Sequence, residues 1–128
     1  AQKSGIDFIN FITPTTNKER LKQILNLSTG FLYFVSIAGI TGTKVPDNKI
    51  IEELIKTVKQ NTNLPIGVGF GIKSPSQVEE ISNFSDAIVV GSAIVNKIDS
   101  LKIKNFDNDL IVKNMIDFLL ELSNPLKR

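Results

Sequence analysis

Short apolar segments alternate with longer amphipathic segments along the whole chain, and this alternation is the strongest constraint on its fold. Strands that are joined through helices run parallel, and parallel strands need helices to cover them. The sequence therefore predicts an α/β fold with the order β-α-β-α-β-α-β-α-α. The predicted strands are Asp7 to Thr13, Gly30 to Ser36, Leu64 to Gly71 and Asp86 to Gly91, and the last two predicted helices are a short one at 92–98 and one at 107–121.

The segments between the strands carry signals for helix starts and for a buried helix face. Thr16 and Glu19 have the spacing of a capping box, and Ser74 and Gln77 have it again before another helix. Apolar residues at helical spacing predict the face that each helix turns to the core. These residues are Leu21, Ile24 and Leu25, then Ile50, Ile51, Leu54, Ile55 and Val58, and finally Ile111, Met115, Phe118 and Leu119.

Two architectures have this order, namely an open doubly wound sheet and part of a (β/α)8 barrel. A whole barrel needs eight units and about 250 residues. The 128 residues are therefore predicted to form a single domain over 1–128, which would be half of a barrel. A free half barrel would expose two edge strands and one face of its sheet. We therefore expect the chain to be completed by its missing half, by a second copy of itself, or by another subunit.

The chain has no histidine and no cysteine, which narrows the chemistry open to it. Disulfides, thiolate catalysis, zinc sites with the usual ligands and imidazole acid–base chemistry are excluded, and we expect no metal and no cofactor. The net charge is +2 with scattered lysines, which disfavours a nucleic-acid partner. No apolar run would span a membrane and no targeting segment is evident, so we expect a cytoplasmic location, with the plastid stroma as the alternative.

Small and hydroxyl residues follow the predicted strands at the ends where parallel sheets bind ligands. Gly91 and Ser92 end the fourth strand and open a helix, and Gly71 ends the third strand. Glycine lets an anion approach the backbone closely, and the first N–H groups of a helix attract it. This pattern indicates a phosphate site and is equally typical of tight strand-to-helix turns.

Three further features have two interpretations each. The long glycine-containing loop at 38–48 is typical of an active-site lid, and also of a solvated surface loop. Tyr33, in the second strand, could direct its hydroxyl to a substrate or pack in the core. Phe70 could be a core residue or the apolar wall of a pocket.

Four motifs together resemble the second half of the tryptophan synthase α subunit family: FITPTT, GFLYFVSIAGITGT, PIGVGFGIKSPSQV and DAIVVGSAIV. The resemblance covers essentially the entire chain. It implies the C-terminal half of a TIM (β/α)8 barrel, with four β/α units and an extra short helix at the phosphate site. The family is a lyase of tryptophan biosynthesis that cleaves indole-3-glycerol phosphate to indole and glyceraldehyde 3-phosphate. It works in complex with a pyridoxal-phosphate-dependent β subunit.

The resemblance also implies roles for individual residues. Thr41 matches a lid threonine that reaches the family's catalytic aspartate. Ile37 stands where the family usually has arginine, and Lys73 stands where serine is common. The implied phosphate-binding residues are Gly42, Gly71, Gly91 and Ser92, and the implied substrate-pocket residues are Ile12, Tyr33, Phe70 and Val89.

The two catalytic carboxylates of the family belong to the first half of its barrel and have no counterpart in this sequence. We therefore expect the segment to bind the phosphate and part of the indole without turning the substrate over, with no catalytic residue of its own. One alternative is a non-catalytic, self-associating half-barrel that binds phosphorylated ligands. The other is a related phosphate-binding barrel of tryptophan or histidine biosynthesis, which the GITGT motif disfavours.

Overall fold

Parallel strands and helices alternate along the chain in the computed structural model, which describes residues 2–35, 48–69, 71–104 and 106–127. The elements are β1 Asn10–Ile12, α1 Lys18–Leu27, β2 Leu32–Val35, α2 Asn48–Lys59, β3 Ile66–Gly69, α3 Pro75–Ser82, β4 Ala87–Val89, α4 Ser92–Ile103 and α5 Asn108–Ser123, with 3-10 turns at Gln2–Ser4 and Asn124–Leu126. The strands form one sheet in the order β1-β2-β3-β4, and every neighbouring pair is parallel. The predicted α/β class and element order are confirmed.

The two faces of this sheet differ in what covers them. Register partners on parallel strands share a face, and successive residues of one strand alternate between faces. The helix-covered face holds Ile12, Leu32, Phe34, Ile66, Val68 and Ile88, which pack with the helices in one core cluster. The opposite face, called here the open face, consists of Phe11, Tyr33, Val35, Gly67, Gly69, Ala87 and Val89. Helices on one face only are typical of a barrel segment, whereas a doubly wound sheet has them on both.

The start of α1 differs from its prediction by one residue. Asn17 is the N-cap, and its side chain accepts a hydrogen bond from the N–H of Arg20 at 2.8 Å. The hydroxyl of Thr16 instead accepts from the N–H of Thr13 at 3.0 Å and so closes the turn after β1. The predicted capping box of Thr16 and Glu19 is therefore wrong, because the neighbouring asparagine caps the helix.

The capping box of α3 is confirmed, and α4 is longer than predicted. The Ser74 side chain accepts from the N–H of Gln77, and Gln77 Oε1 accepts from the N–H of Ser74 at 3.2 Å. The helix predicted at 92–98 continues to Ile103, which makes it 12 residues long. A helix of this length has a well-developed dipole at its start.

Two residues predicted to face the core are exposed. Ile50 of α2 is 51% exposed and Leu119 of α5 is 43% exposed. Each lies one position from a residue that does pack inward, and one residue turns the side chain by about 100° around a helix. The buried residue of α5 is Leu122, which is 5% exposed.

Candidate functional site

A pocket of about 190 Å³ lies at the carboxyl ends of the strands. Ligands of parallel α/β sheets bind at this end. All of its lining residues except Ile72 belong to the set that the sequence indicated. The lining residues are Tyr33, Gly71, Ile72, Val89, Gly91 and Ser92.

Gly71 forms the turn that leads from β3 toward α3. Its φ of +77° lies in the left-handed region that side chains other than glycine's rarely adopt. A Cβ built on Gly71 would meet no atom within 4 Å, so the backbone faces open space on this side. Glycine is therefore required here for the backbone conformation, and it leaves the peptide accessible to a ligand.

Gly91 and Ser92 line the same pocket at the start of α4. Gly91 is the N-cap residue and provides no side-chain cap, while its carbonyl accepts from the N–H of Ile94 at 2.9 Å. The first N–H groups of a helix lack intrahelical acceptors and carry the positive end of its dipole. Because a Cβ on Gly91 would also meet nothing within 4 Å, this helix start is open to the pocket.

Tyr33 occupies the open face and reaches toward the pocket. Its ring packs edge-to-face against Phe11, with the ring centroids 5.3 Å apart. It also covers Gly69: a Cβ built there would lie 2.6 Å from Cζ of Tyr33 and would overlap the hydroxyl. The side chain therefore leans along β3 toward its carboxyl end, which brings the phenol to the pocket wall.

Ile12 lies away from this pocket. Its side chain is 1% exposed and packs in the core cluster on the helix-covered face, where its register partner is Phe34. The preceding residue, Phe11, is the one that shares a face with Tyr33. Strand alternation is the signal that indicates Phe11, once Tyr33 is placed on the ligand side.

Four residues singled out from the sequence lie outside the described residues. They belong to the 36–47 segment or to position 70. These residues are Ile37, Thr41, Gly42 and Phe70.

Asp86 lies at the amino end of β4, on the opposite edge of the sheet from the pocket. Its carboxylate accepts from Lys59 Nζ at 2.9 Å and from the N–H of Ile66 at 2.9 Å. Burial acts to raise the pKa of Asp86, but the Lys59 hydrogen bond, the Ile66 N–H and the charge of Lys59 outweigh it and lower the pKa below its ordinary value. These contacts join α2, β3 and β4, which is a structural role.

Larger clefts exist, but they lack the features of a ligand site. Two shallow clefts of about 340 and 360 Å³ lie around Asp86, at the amino ends of the strands. A third, of about 300 Å³, is an apolar cleft along α5. Within the described ranges no group of three or more acidic residues could hold a metal ion, and no helix is long and apolar enough to cross a bilayer. The pocket at the carboxyl ends is therefore the strongest candidate site.

Comparison with known proteins points to one family. The family model of the tryptophan synthase alpha chain matches residues 1–119. The structure of tryptophan synthase subunit alpha from Legionella pneumophila str. Paris is similar, with 28% identity and a TM-score of 0.80 over 98% of this chain and 44% of that chain. The subunit alpha of Campylobacter jejuni is 33% identical, with a TM-score of 0.72 over 91% of this chain and 45% of that chain. The chain thus spans less than half the length of these relatives.

Proposed function

Since the chain belongs to the tryptophan synthase alpha chain family, we propose that it forms the phosphate-binding half of a (β/α)8 lyase. The complete enzyme would cleave indole-3-glycerol phosphate to indole and glyceraldehyde 3-phosphate. The observation that supports this assignment is the pocket itself, which brings Gly71, Gly91 and Ser92 together at the carboxyl ends of β3 and β4. No reacting group is assigned to this half.

The phosphate would lie between the Gly71 turn and the start of α4. Both positions present backbone without a side chain in the way, and α4 adds the positive end of its dipole. Barrels that bind phosphate commonly do so after their seventh and eighth strands, beside an extra helix. If this chain is the second half of a barrel, then β3, β4 and α4 hold those places.

The remainder of the substrate would extend along the open face. Tyr33 and Val89 line the pocket there, and Val89 is 36% exposed. From the family resemblance we assign Phe70 to the indole wall, Gly42 to the phosphate site and Thr41 to the lid. Ile12 is left out of the proposed contacts, because its side chain is buried on the helix-covered face.

This half alone would hold the substrate without cleaving it. The cleavage needs a proton delivered to the indole ring and a proton removed from the glycerol hydroxyl. None of the six described lining residues is a carboxylate, and the two catalytic carboxylates of the family have no counterpart in this sequence. The acid and the base would come from the remaining half of the barrel, and the indole would pass to a pyridoxal-phosphate-dependent β subunit.

The open face supports a partner that completes the barrel. Phe11 is 64% exposed on this face, and within the described residues the sheet ends at β1 on one side and β4 on the other. Exposed apolar surface and unpaired strand edges of this kind favour association. We propose that the other half of a (β/α)8 barrel covers the face. Native mass spectrometry tests the alternative: a stable dimer of the 128-residue chain would favour the self-associating half-barrel.

One substitution tests the phosphate assignment with a control on the same helix. Ser92→Asp places a negative charge at the start of α4, whereas Ser100→Asp makes the same change at an exposed position eight residues later. Calorimetric titration with glycerol 3-phosphate should show an affinity loss of about tenfold or more for Ser92→Asp, from repulsion at the dipole's positive end. Ser100→Asp should bind as the parent chain does. Equal affinities of all three proteins would refute the phosphate site.

An indole-release assay tests whether the catalytic groups lie outside this half of the barrel. The chain alone, supplied with indole-3-glycerol phosphate, should release no indole. A mixture with the amino-terminal half of the Campylobacter jejuni subunit alpha should release indole if the two halves assemble. Release by the chain alone would show that a catalytic acid and base lie within these residues.

A further inference from the structure

None of the described residues that line the pocket is charged, although the proposed ligand is a dianion. Its walls offer backbone N–H groups, the Ser92 hydroxyl and the Tyr33 phenol. Such groups give partial positive charge only. Within the described part of the chain, a full charge near the site can come from a residue that flanks the lining.

Among the described residues, Lys73 alone is charged and lies within two sequence positions of a described lining residue. It directly follows Gly71 and Ile72, both of which line the pocket. Two residues span at most about 7 Å, and a lysine side chain is nearly as long, so the ammonium group can reach the pocket mouth.

The local structure fixes the backbone of Lys73 and leaves its side chain available. Ile72 is 3% exposed and anchors the segment in the core. The N–H of Lys73 donates to Oε1 of Gln77 at 2.8 Å, which ties the residue to the first turn of α3. Its side chain is exposed, and the ion pairs of the described residues involve Lys56 and Lys59, not Lys73.

We infer that Lys73 raises the affinity of this pocket for phosphorylated ligands, by bringing one full positive charge near the backbone anion site. The inference rests on the proposed phosphate site. It assigns a function to a position where the sequence resemblance indicated serine as the common residue. A serine there could offer a hydroxyl but no charge.

The test is a titration of the isotope-labelled 128-residue chain with inorganic phosphate at an ionic strength of about 0.1 M, where the screening length is about 10 Å. Amide shifts of Gly71, Gly91 and Ser92 report binding at the site. Lys73→Ser should weaken phosphate binding about threefold, which is the effect of a charge that the lysine side chain brings to within about 7 Å of a dianion at this ionic strength. Lys73→Arg should keep the parent affinity, and the loss in Lys73→Ser should disappear at about 1 M salt.

Lys102→Ser is the matched control, because it removes the same charge from the far end of α4. That position is about 15 Å from the start of the helix and beyond the screening length, so the affinity should stay at the parent value. Parent-like binding by Lys73→Ser, or an equal loss in Lys102→Ser, would overturn the inference and leave the phosphate site standing. If phosphate changes none of the three amide chemical shifts in the parent chain, both the phosphate site and the inference are wrong.

Discussion

A side chain at position 69 should destabilise the fold, because Tyr33 occupies the space next to Gly69. A Cβ at Gly69 would lie 2.6 Å from Cζ and 3.1 Å from Cε1 of Tyr33, and it would overlap the hydroxyl. Overpacking of this kind typically costs about 1–3 kcal/mol. Alanine also restricts the unfolded chain, which offsets about 0.4–1 kcal/mol. We expect Gly69→Ala to lower the free energy of unfolding by about 1–2 kcal/mol.

Gly67→Ala is the control on the same strand and the same face. A Cβ at Gly67 would have its nearest contacts at 3.5 Å with Phe31 and 3.7 Å with Ala87, which is ordinary van der Waals contact. This variant should therefore be neutral or more stable by up to about 1 kcal/mol. Urea unfolding of both variants, with equal slopes, gives the comparison.

A double-mutant cycle identifies Tyr33 as the cause. Tyr33→Leu removes the hydroxyl and the far end of the ring, so Gly69→Ala should cost little in that background and the coupling free energy should be about 1–2 kcal/mol. The loss of the ring contact with Phe11 cancels in the cycle. If Gly69→Ala is as well tolerated as Gly67→Ala, or if the coupling is near zero, the described position of Tyr33 is wrong.

Three further predictions concern the stability of the fold. Asp86→Asn should cost about 1 kcal/mol or less at pH 7, because the Lys59 pair is partly exposed. The folded-state pKa of Asp86 is lowered, so its contribution to the free energy of unfolding is present above the ordinary value of 3.8 and is lost as the pH falls through the lower folded value. Urea unfolding at pH 7 and pH 2 should show that the stability difference between the parent and Asp86→Asn shrinks at the lower pH. A constant difference would contradict this. In a thermal unfolding scan, Ser74→Ala should cost about 1 kcal/mol by removing the N-cap of α3. Ser100→Ala, in the last turn of α4, should change the stability little, and equal effects of the two substitutions would exclude a capping role. Ile55→Ala, at a side chain that is 0% exposed, should cost about 2–5 kcal/mol in urea unfolding, and a loss under 1 kcal/mol would contradict its place in the core.

The order of elements could be predicted from the sequence because each element carries its own local signal. Apolar runs indicated the strands, and the Ser74 capping box marked α3. Boundaries were less predictable where two residues compete for one role, as Thr16 and Asn17 do at the start of α1. Residues at the border of the apolar face of a helix are similarly hard to assign as buried or exposed, and Ile50 of α2 proves to be exposed.

The residues at the strand ends of the candidate site could be predicted from the sequence, but the face of the sheet on which each side chain lies could not. Gly71, Gly91 and Ser92 were indicated because strand ends of a parallel sheet meet at one edge. The side of the sheet that a residue faces follows from alternation along its strand. The first predicted strand is apolar on both faces, so its pattern does not show which face the helices cover. Ile12 illustrates this limit, since its position at the end of β1 is correct for a ligand site while its side chain packs on the helix-covered face.

The central claim is that the substrate binds at the carboxyl ends of β3 and β4 and stays uncleaved on this chain. The most direct measurement is an amide chemical-shift map of the 128-residue chain during titration with indole-3-glycerol phosphate, followed over several hours. We predict saturable shifts at Gly71, Gly91 and Ser92, and substrate signals that remain unchanged in intensity. Shifts centred on Asp86 at the opposite edge, or the growth of free indole signals, would contradict the claim.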